Sequence, residues 1–285
     1  MSVTQSTPKI NRHWLFSTVR GYTVLFIFAV IFLVPFYWMF ATALKSDEQL
    51  FQLPPAWVPI PAMWENFARV FQEVPFERFL LNSAFLVAWN VVGQVVSCTL
   101  IAYGFARLRF PGRNVLFFIL LATLMVPSQV TLVPQFILFA KLGWVNTYLP
   151  LILPAFGGSP FLIFLMRQYM MTIPFDLDEA ATIDGANRLQ VLRYVIAPMS
   201  VPAIVLVAVF TFTDVWNDFM GPLIYLNDPQ KFTVTLGLSF FQGAKETSWN
   251  LLMAGSLMAM IPPMILFFLA QKRLLGGLAA AGIKG

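Results

Sequence analysis

Six stretches of this 285-residue chain are apolar and long enough to cross a lipid bilayer, and together they take up nearly half of it. A spanning helix needs about 20 mainly apolar residues, because a backbone in hydrocarbon must satisfy its own hydrogen bonds. The windows are Gly21–Ala43, Phe79–Tyr103, Val115–Leu138, Tyr148–Met166, Ser200–Tyr225 and Leu251–Ala270. Pro35, Pro127, Pro134, Pro154, Pro160 and the pair Pro262-Pro263 fall inside them. In water such prolines end helices; in a bundle, neighbouring groups take up the freed carbonyls, so kinked helices are expected. The predicted architecture is an all-α membrane protein with six transmembrane helices. A tail covers residues 1–20, the spanning domain 21–270 and a second tail 271–285.

Composition agrees. Charged residues make up 11% of the chain, against about 25% in an ordinary soluble domain. Hydrophobic residues reach 59%, and 30 of the 285 residues are Phe. The net charge of +5 fits an asymmetry between two membrane faces and gives no reason to expect nucleic acid. Cys98 is the single cysteine and lies in an apolar run, so no intrachain disulfide or thiolate metal cluster is available. His13 is the single histidine, which leaves no basis for zinc or histidine chemistry. No catalytic residue, metal or bound cofactor is expected.

An even number of spans puts both termini on one side. Lys9, Arg12, Arg20, Arg107, Arg109, Arg113, Arg167, Arg188, Arg193, Lys272, Arg273 and Lys284 would share that side; Lys45, Arg69, Arg78, Lys141, Lys231 and Lys245 would lie opposite. The richer side is cytoplasmic. Ala41-Thr42-Ala43 after the first window imitates a signal-peptidase site. The apolar run before it is about 20 residues, longer than the 7–15 of a cleaved signal, so a retained anchor is expected. The loop from Lys45 to Arg78 holds Pro54-Pro55, Trp57, Pro59, Pro61 and Trp64 and reads as ordered, near the headgroups. The loop Gly221–Asn250 is more polar and suits a soluble partner.

The segment between windows four and five is too structured for a connector. Pro174 can open a helix, and Asp176, Asp178 and Glu179 crowd its first turn, where carboxylates suit the helix dipole. Ala180 and Ala181 are small helix formers, Gly185 suits a left-handed helix end, and Asn187 can cap a second helix. Leu189, Leu192, Val195 and Ile196 fall on one face at helical spacing, and Pro198 marks the next span. The segment 174–198 therefore reads helix, glycine turn, short amphipathic helix. An interfacial helix lying on lipid is the simpler alternative. It does not account for acidic residues against an anionic surface, or for the glycine turn and small alanines, whereas a protein groove does.

Asp214 and Asp218 lie in the fifth window, where carboxylates face a bundle or a water path. Asp214 suits a structural hydrogen bond or a pore-lining group. Trp216, Asn217, Asp218 and Phe219 suit sugar hydroxyls or an outer aromatic belt. These carboxylates also allow another class of protein, a self-contained secondary transporter or channel with Asp214 and Asp218 as ion sites. Gly277 and Gly282 have phosphate-loop spacing, but Ile283 stands where lysine is required, so the chain should not bind ATP.

Glu179-Ala180-Ala181, then Gly185, then Ile196-Ala197-Pro198 resembles the EAA loop of permease subunits in binding-protein-dependent ABC importers, in particular the carbohydrate-uptake branch. The resemblance runs along nearly the whole chain. It takes in Leu44-Lys45-Ser46, Glu65-Asn66-Phe67, Asn82-Ser83, Phe110-Pro111-Gly112-Arg113, Arg167-Gln168-Tyr169, Trp216-Asn217-Asp218-Phe219, Trp249-Asn250 and Pro262-Pro263. Departures are Ala197 where the family usually has Leu, and Leu192 where it often has an aromatic residue.

The resemblance implies a type I ABC importer permease fold with a cytoplasmic coupling helix, in a bacterial inner membrane. The implied partners are a second permease subunit, two cytoplasmic ATPase subunits that bind ATP and Mg, and an extracytoplasmic sugar-binding protein. It implies that Glu179 pairs with a basic ATPase residue and that Ala180, Ala181, Asp184, Gly185 and Pro198 shape the coupling loop, with Leu189 and Leu192 filling a groove. It leaves the sugar open, and sugar contacts in the membrane would lie mainly on the partner permease.

Overall fold

The computed structural model describes residues 12–243 and 247–282 and is helical almost throughout, with no strand among them. Fifteen α-helices follow in order: α1 Arg12–Ala43, α2 Asp47–Leu50, α3 Glu65–Glu73, α4 Phe76–Arg107, α5 Arg113–Ala122, α6 Ser128–Lys141, α7 Leu149–Ile152, α8 Pro160–Met171, α9 Asp176–Ile183, α10 Arg188–Val191, α11 Ala197–Met199, α12 Val201–Asn217, α13 Met220–Tyr225, α14 Val234–Gly237 and α15 Trp249–Gly282. Residues 12–20, expected as tail, continue α1, and α15 carries Gly277 and Gly282 in helix. The outer parts of both expected tails, with Lys9 and Lys284, lie outside the described residues, as does Lys245.

Four of the six windows are apolar segments of spanning length: Arg20–Ala43, Phe76–Arg107, Leu149–Met171 and Trp249–Gln271. The other two are bent pairs. The third window was expected as one kinked helix, but Arg113–Met125 and Gln129–Lys141 meet at 99°. Pro127 has no N–H and holds extended backbone (φ −60°, ψ 134°), and Val126 before it is also extended, so the helix breaks rather than bends. In the fifth, Arg188–Met199 and Val201–Asn217 meet at 78°. That helix stops at Asn217, not at Tyr225: Asp218 turns extended and caps α13 by accepting from Gly221 N at 3.1 Å.

At Pro263 in α15, another helix supplies the donor for the freed carbonyl. The Ala259 carbonyl, four residues before Pro263, accepts from Trp216 Nε1 at 3.0 Å. The Phe156 carbonyl, in the short turn before α8, accepts from Ser97 Oγ on α4 at 2.6 Å.

Two apolar cores stack along α4, which at 1.5 Å per residue is about 48 Å long. Its first half puts Phe76, Phe79 and Val87 among Val70, Trp216, Val234 and Leu251. Its second half puts Cys98, Ala102, Tyr103 and Ala106 among Ile163, Met166, Leu192, Ile196 and Val207. At the first end a buried polar knot joins three separate segments. Asn66 Nδ2 donates to the Ala43 and Lys45 carbonyls, both at 2.9 Å. Asn250 Nδ2 donates to the Lys45 carbonyl at 3.2 Å and to Asp47 Oδ1 at 2.9 Å. Thus the Ala43 carbonyl left over at the end of α1 is satisfied from α3, and the Lys45 carbonyl just beyond it from α3 and α15. The long proline-rich loop exposes most of its large apolar residues and is tied back by two hydrogen bonds, Tyr37 Oη donating to the Trp57 carbonyl at 2.8 Å and Gln49 Nε2 to the Ile60 carbonyl at 2.7 Å.

Candidate functional site: the elbow and the acidic cavity

The elbow forms as its residues dictate. Asp176, Asp178 and Glu179 occupy the first turn of α9. Gly185 takes φ +87°, a left-handed conformation that a side chain would strain. Asn187 then caps α10 through a reciprocal box: Gln190 N donates to Asn187 Oδ1 at 3.0 Å, and Asn187 N donates to Gln190 Oε1 at 2.7 Å. A π-helical turn over Leu192–Ile196 leads into α11, which contains Pro198.

The expected apolar face does not hold together. Leu192 and Ile196 are buried in the chain's own core and Val195 is half-buried, whereas Leu189 is 66% exposed. Val191 takes the inward place on α10 beside Leu192, and Leu189 is left outside them. Leu192 is therefore unavailable to any partner. Glu179, Ala180, Asp184, Gly185, Leu189 and Pro198 are exposed, and Ala181 packs partly on the core. The exposed face also presents Ile183 at 86% and Tyr194 at 66% exposure, which the sequence reading missed. The available signal was a lone isoleucine in a polar stretch directly before the Asp-Gly turn.

Arg107 was also missed, having been counted only as a surface charge. Its guanidinium is buried at the elbow end of α4, pairing with Asp178 Oδ2 at 3.1 Å. Burial raises the Asp178 carboxyl above its ordinary value and outweighs the neighbouring Arg107, which lowers it.

At the other end of α12, Phe210, Thr213, Asp214, Asn217, Asp218, Phe219 and Met220 line an open cavity of about 760 Å³. Four of the five expected residues meet there. Trp216 does not: it is 5% exposed, stacks on Phe212 at 5.5 Å and is bonded to α15. Helical rotation sends it to the face opposite Asn217 and Asp214. Asp214 makes no ion pair among the described residues. Asp218 is spent partly on the cap of α13. No group of three or more His, Cys, Asp or Glu suited to a metal occurs among the described residues.

The family described as "Binding-protein-dependent transport system inner membrane component" matches residues 96–278. The chain is 34% identical over 282 residues to the probable ABC transporter permease protein YurM of Bacillus subtilis, covering 97% of this chain and 92% of that one. It is 35% identical over 264 residues to the trehalose/maltose transport system permease protein MalG of Thermococcus litoralis, covering 91% and 94%. Among solved structures it shares its fold with a chain of a bacterial ABC transporter involved in the import of the acidic polysaccharide alginate. The TM-score is 0.80 at 24% identity, over 93% of this chain and 99% of that one.

Proposed function

The chain belongs to the family of binding-protein-dependent transport system inner membrane components, and from that premise we propose that it carries one side of the membrane path for a sugar handed over by an extracytoplasmic binding protein. It is a permease subunit of an ABC importer, a transport component and not an enzyme. The trehalose/maltose relative supports a sugar as cargo. ATP and Mg bind to two separate cytoplasmic ATPase subunits, and a second permease subunit completes the path. Both termini and the elbow face the cytoplasm.

The observation that carries this reading is the outward face of the elbow. Glu179 and Asp184 stand beside exposed Ile183, Leu189 and Tyr194, with Gly185 between the two short helices. These exposed apolar groups stand among charges of both signs, with Arg193 against the Tyr194 ring, and fit a groove on an ATPase in which Glu179 meets a basic residue. The cavity of Asp214, Asn217, Asp218 and Phe219 offers sugar hydroxyls carboxylate and amide partners beside an aromatic face. The test is the assembled transporter in liposomes, with its binding protein and trehalose or maltose as first probes. Glu179→Lys and Gly185→Trp insert normally but lose uptake and binding-protein-stimulated ATP hydrolysis. Normal uptake and stimulation in both variants overturns the docking role. Uptake by this chain alone on an ion gradient would instead support an ion-coupled carrier using Asp214 and Asp218.

A further inference from the structure

Two side chains one helical turn apart on α4 hold both halves of the elbow. Tyr103 Oη donates to the Arg188 carbonyl, the first residue of α10, at 3.0 Å. Arg107 reaches four other groups. Its Nη2 donates to the Met170 and Ile173 carbonyls, each at 2.7 Å, at and just beyond the end of α8. Its Nη1 pairs with Asp178 Oδ2 on α9 at 3.1 Å, and its Cζ lies 4.4 Å from the centre of the Phe175 ring.

The Arg107 side chain is 1% exposed and that of Asp178 17%. A guanidinium held this far from water is costly unless its partners are fixed; its plane puts Nη2 on both carbonyls and leaves Nη1 against the carboxylate as an ion pair without hydrogen-bond geometry. Asp178 points inward while its neighbour Glu179 points outward, so adjacent carboxylates on one helix serve opposite sides. α4 crosses the whole bundle and contributes to both apolar cores.

We infer that Arg107, with Tyr103 beside it, is the positioning residue that clamps the elbow to α4 and α8, so that displacement of α9 moves these two long helices as one body. This rests on the elbow being the docking surface proposed above. Without the clamp, α9 and α10 would yield locally under load while the helices stayed in place.

The test uses the whole transporter in liposomes and reads ATP hydrolysis together with movement at the far cavity. Met220→Cys, on the same cavity but outside the groups offered to sugar, supplies a label site for a water-soluble maleimide, since Cys98, the native cysteine, is buried. The readout is the ATP-dependent change in labelling rate per ATP hydrolysed, a ratio that lower expression or weaker assembly alone does not move. Arg107→Gln is expected to lower this ratio about tenfold and Tyr103→Phe about threefold, within the range by which residues along a coupling path alter it. Arg107→Lys does not restore it, because an ammonium lacks the planar fork. Should Arg107→Gln fail to assemble, Tyr103→Phe, which removes one hydroxyl, decides alone. A ratio unchanged in Tyr103→Phe and in Arg107→Gln overturns the clamp. If Glu179→Lys lowers the ratio and these two do not, the docking reading stands without the clamp. A normal ratio in Glu179→Lys overturns the docking reading and the clamp with it.

Discussion

Trp216 Nε1 donates at 3.0 Å to the Ala259 carbonyl, the group that Pro263, having no N–H, leaves without its helical partner. One indole thereby repairs the break in α15 and pins α12 against it. Trp216→Phe keeps an aromatic ring but strands a carbonyl in an apolar setting, at a cost of about 1–3 kcal/mol. Restoring the N–H with Pro263→Ala should recover part of that loss. Unfolding in mixed micelles across the four-variant cycle measures this coupling, and strictly additive losses would show that the bond contributes nothing.

Asn66 closes the end of α1 with two hydrogen bonds from one amide nitrogen. Asn66→Ala leaves the Ala43 carbonyl bare and removes one of two donors to Lys45, which Asn250 still serves. The expected loss is about 1–3 kcal/mol. Asn66→Ala and Asn250→Ala together should cost more than their sum, because only then is the Lys45 carbonyl wholly unpaired. The same unfolding measurement checks this, with equal single and combined effects as the contrary result.

Asp178 gives a pH dependence whose sign follows from burial. Its carboxyl is raised above the ordinary 3.8, so the folded chain holds this proton more tightly than the unfolded chain does. Its contribution is full below pH 3.8 and is lost as pH rises through the raised folded value. Asp178→Asn removes that dependence. Wild-type stability should therefore fall relative to Asp178→Asn as pH is raised across the acid window. Parallel stability profiles for the two proteins would contradict the assignment.

Asp214 lines the open cavity, whereas Trp216 two residues on is buried. Asp214→Arg should reduce uptake by about tenfold or more, since reversing a charge on the path changes the field at close range, while melting temperature stays near that of the parent. Uptake assays and thermal unfolding on one preparation check this. Unimpaired uptake in Asp214→Arg removes the residue from the path.

Much was legible before folding because it depends on near neighbours in the chain. The six apolar windows, the acidic first turn of α9, the glycine bend at Gly185 and the Asn187 cap are satisfied within a few residues of themselves, so short-range pattern is enough. The need for donors to proline-freed carbonyls was equally readable, because it follows from the missing N–H. Which residues answer that need was not. Trp216 reads as a sugar-facing aromatic until its rotation around α12 is known. Arg107 counts as one more positive charge near a membrane face until α8 and α9 are brought around it, 63 to 71 positions further along. Leu192 and Leu189 look equivalent by helical spacing until the core takes Val191 and Leu192 and leaves Leu189 outside. Local preference sets what each segment can be; burial and the pairing of buried polar groups depend on distant segments meeting, and no stretch of chain encodes that by itself.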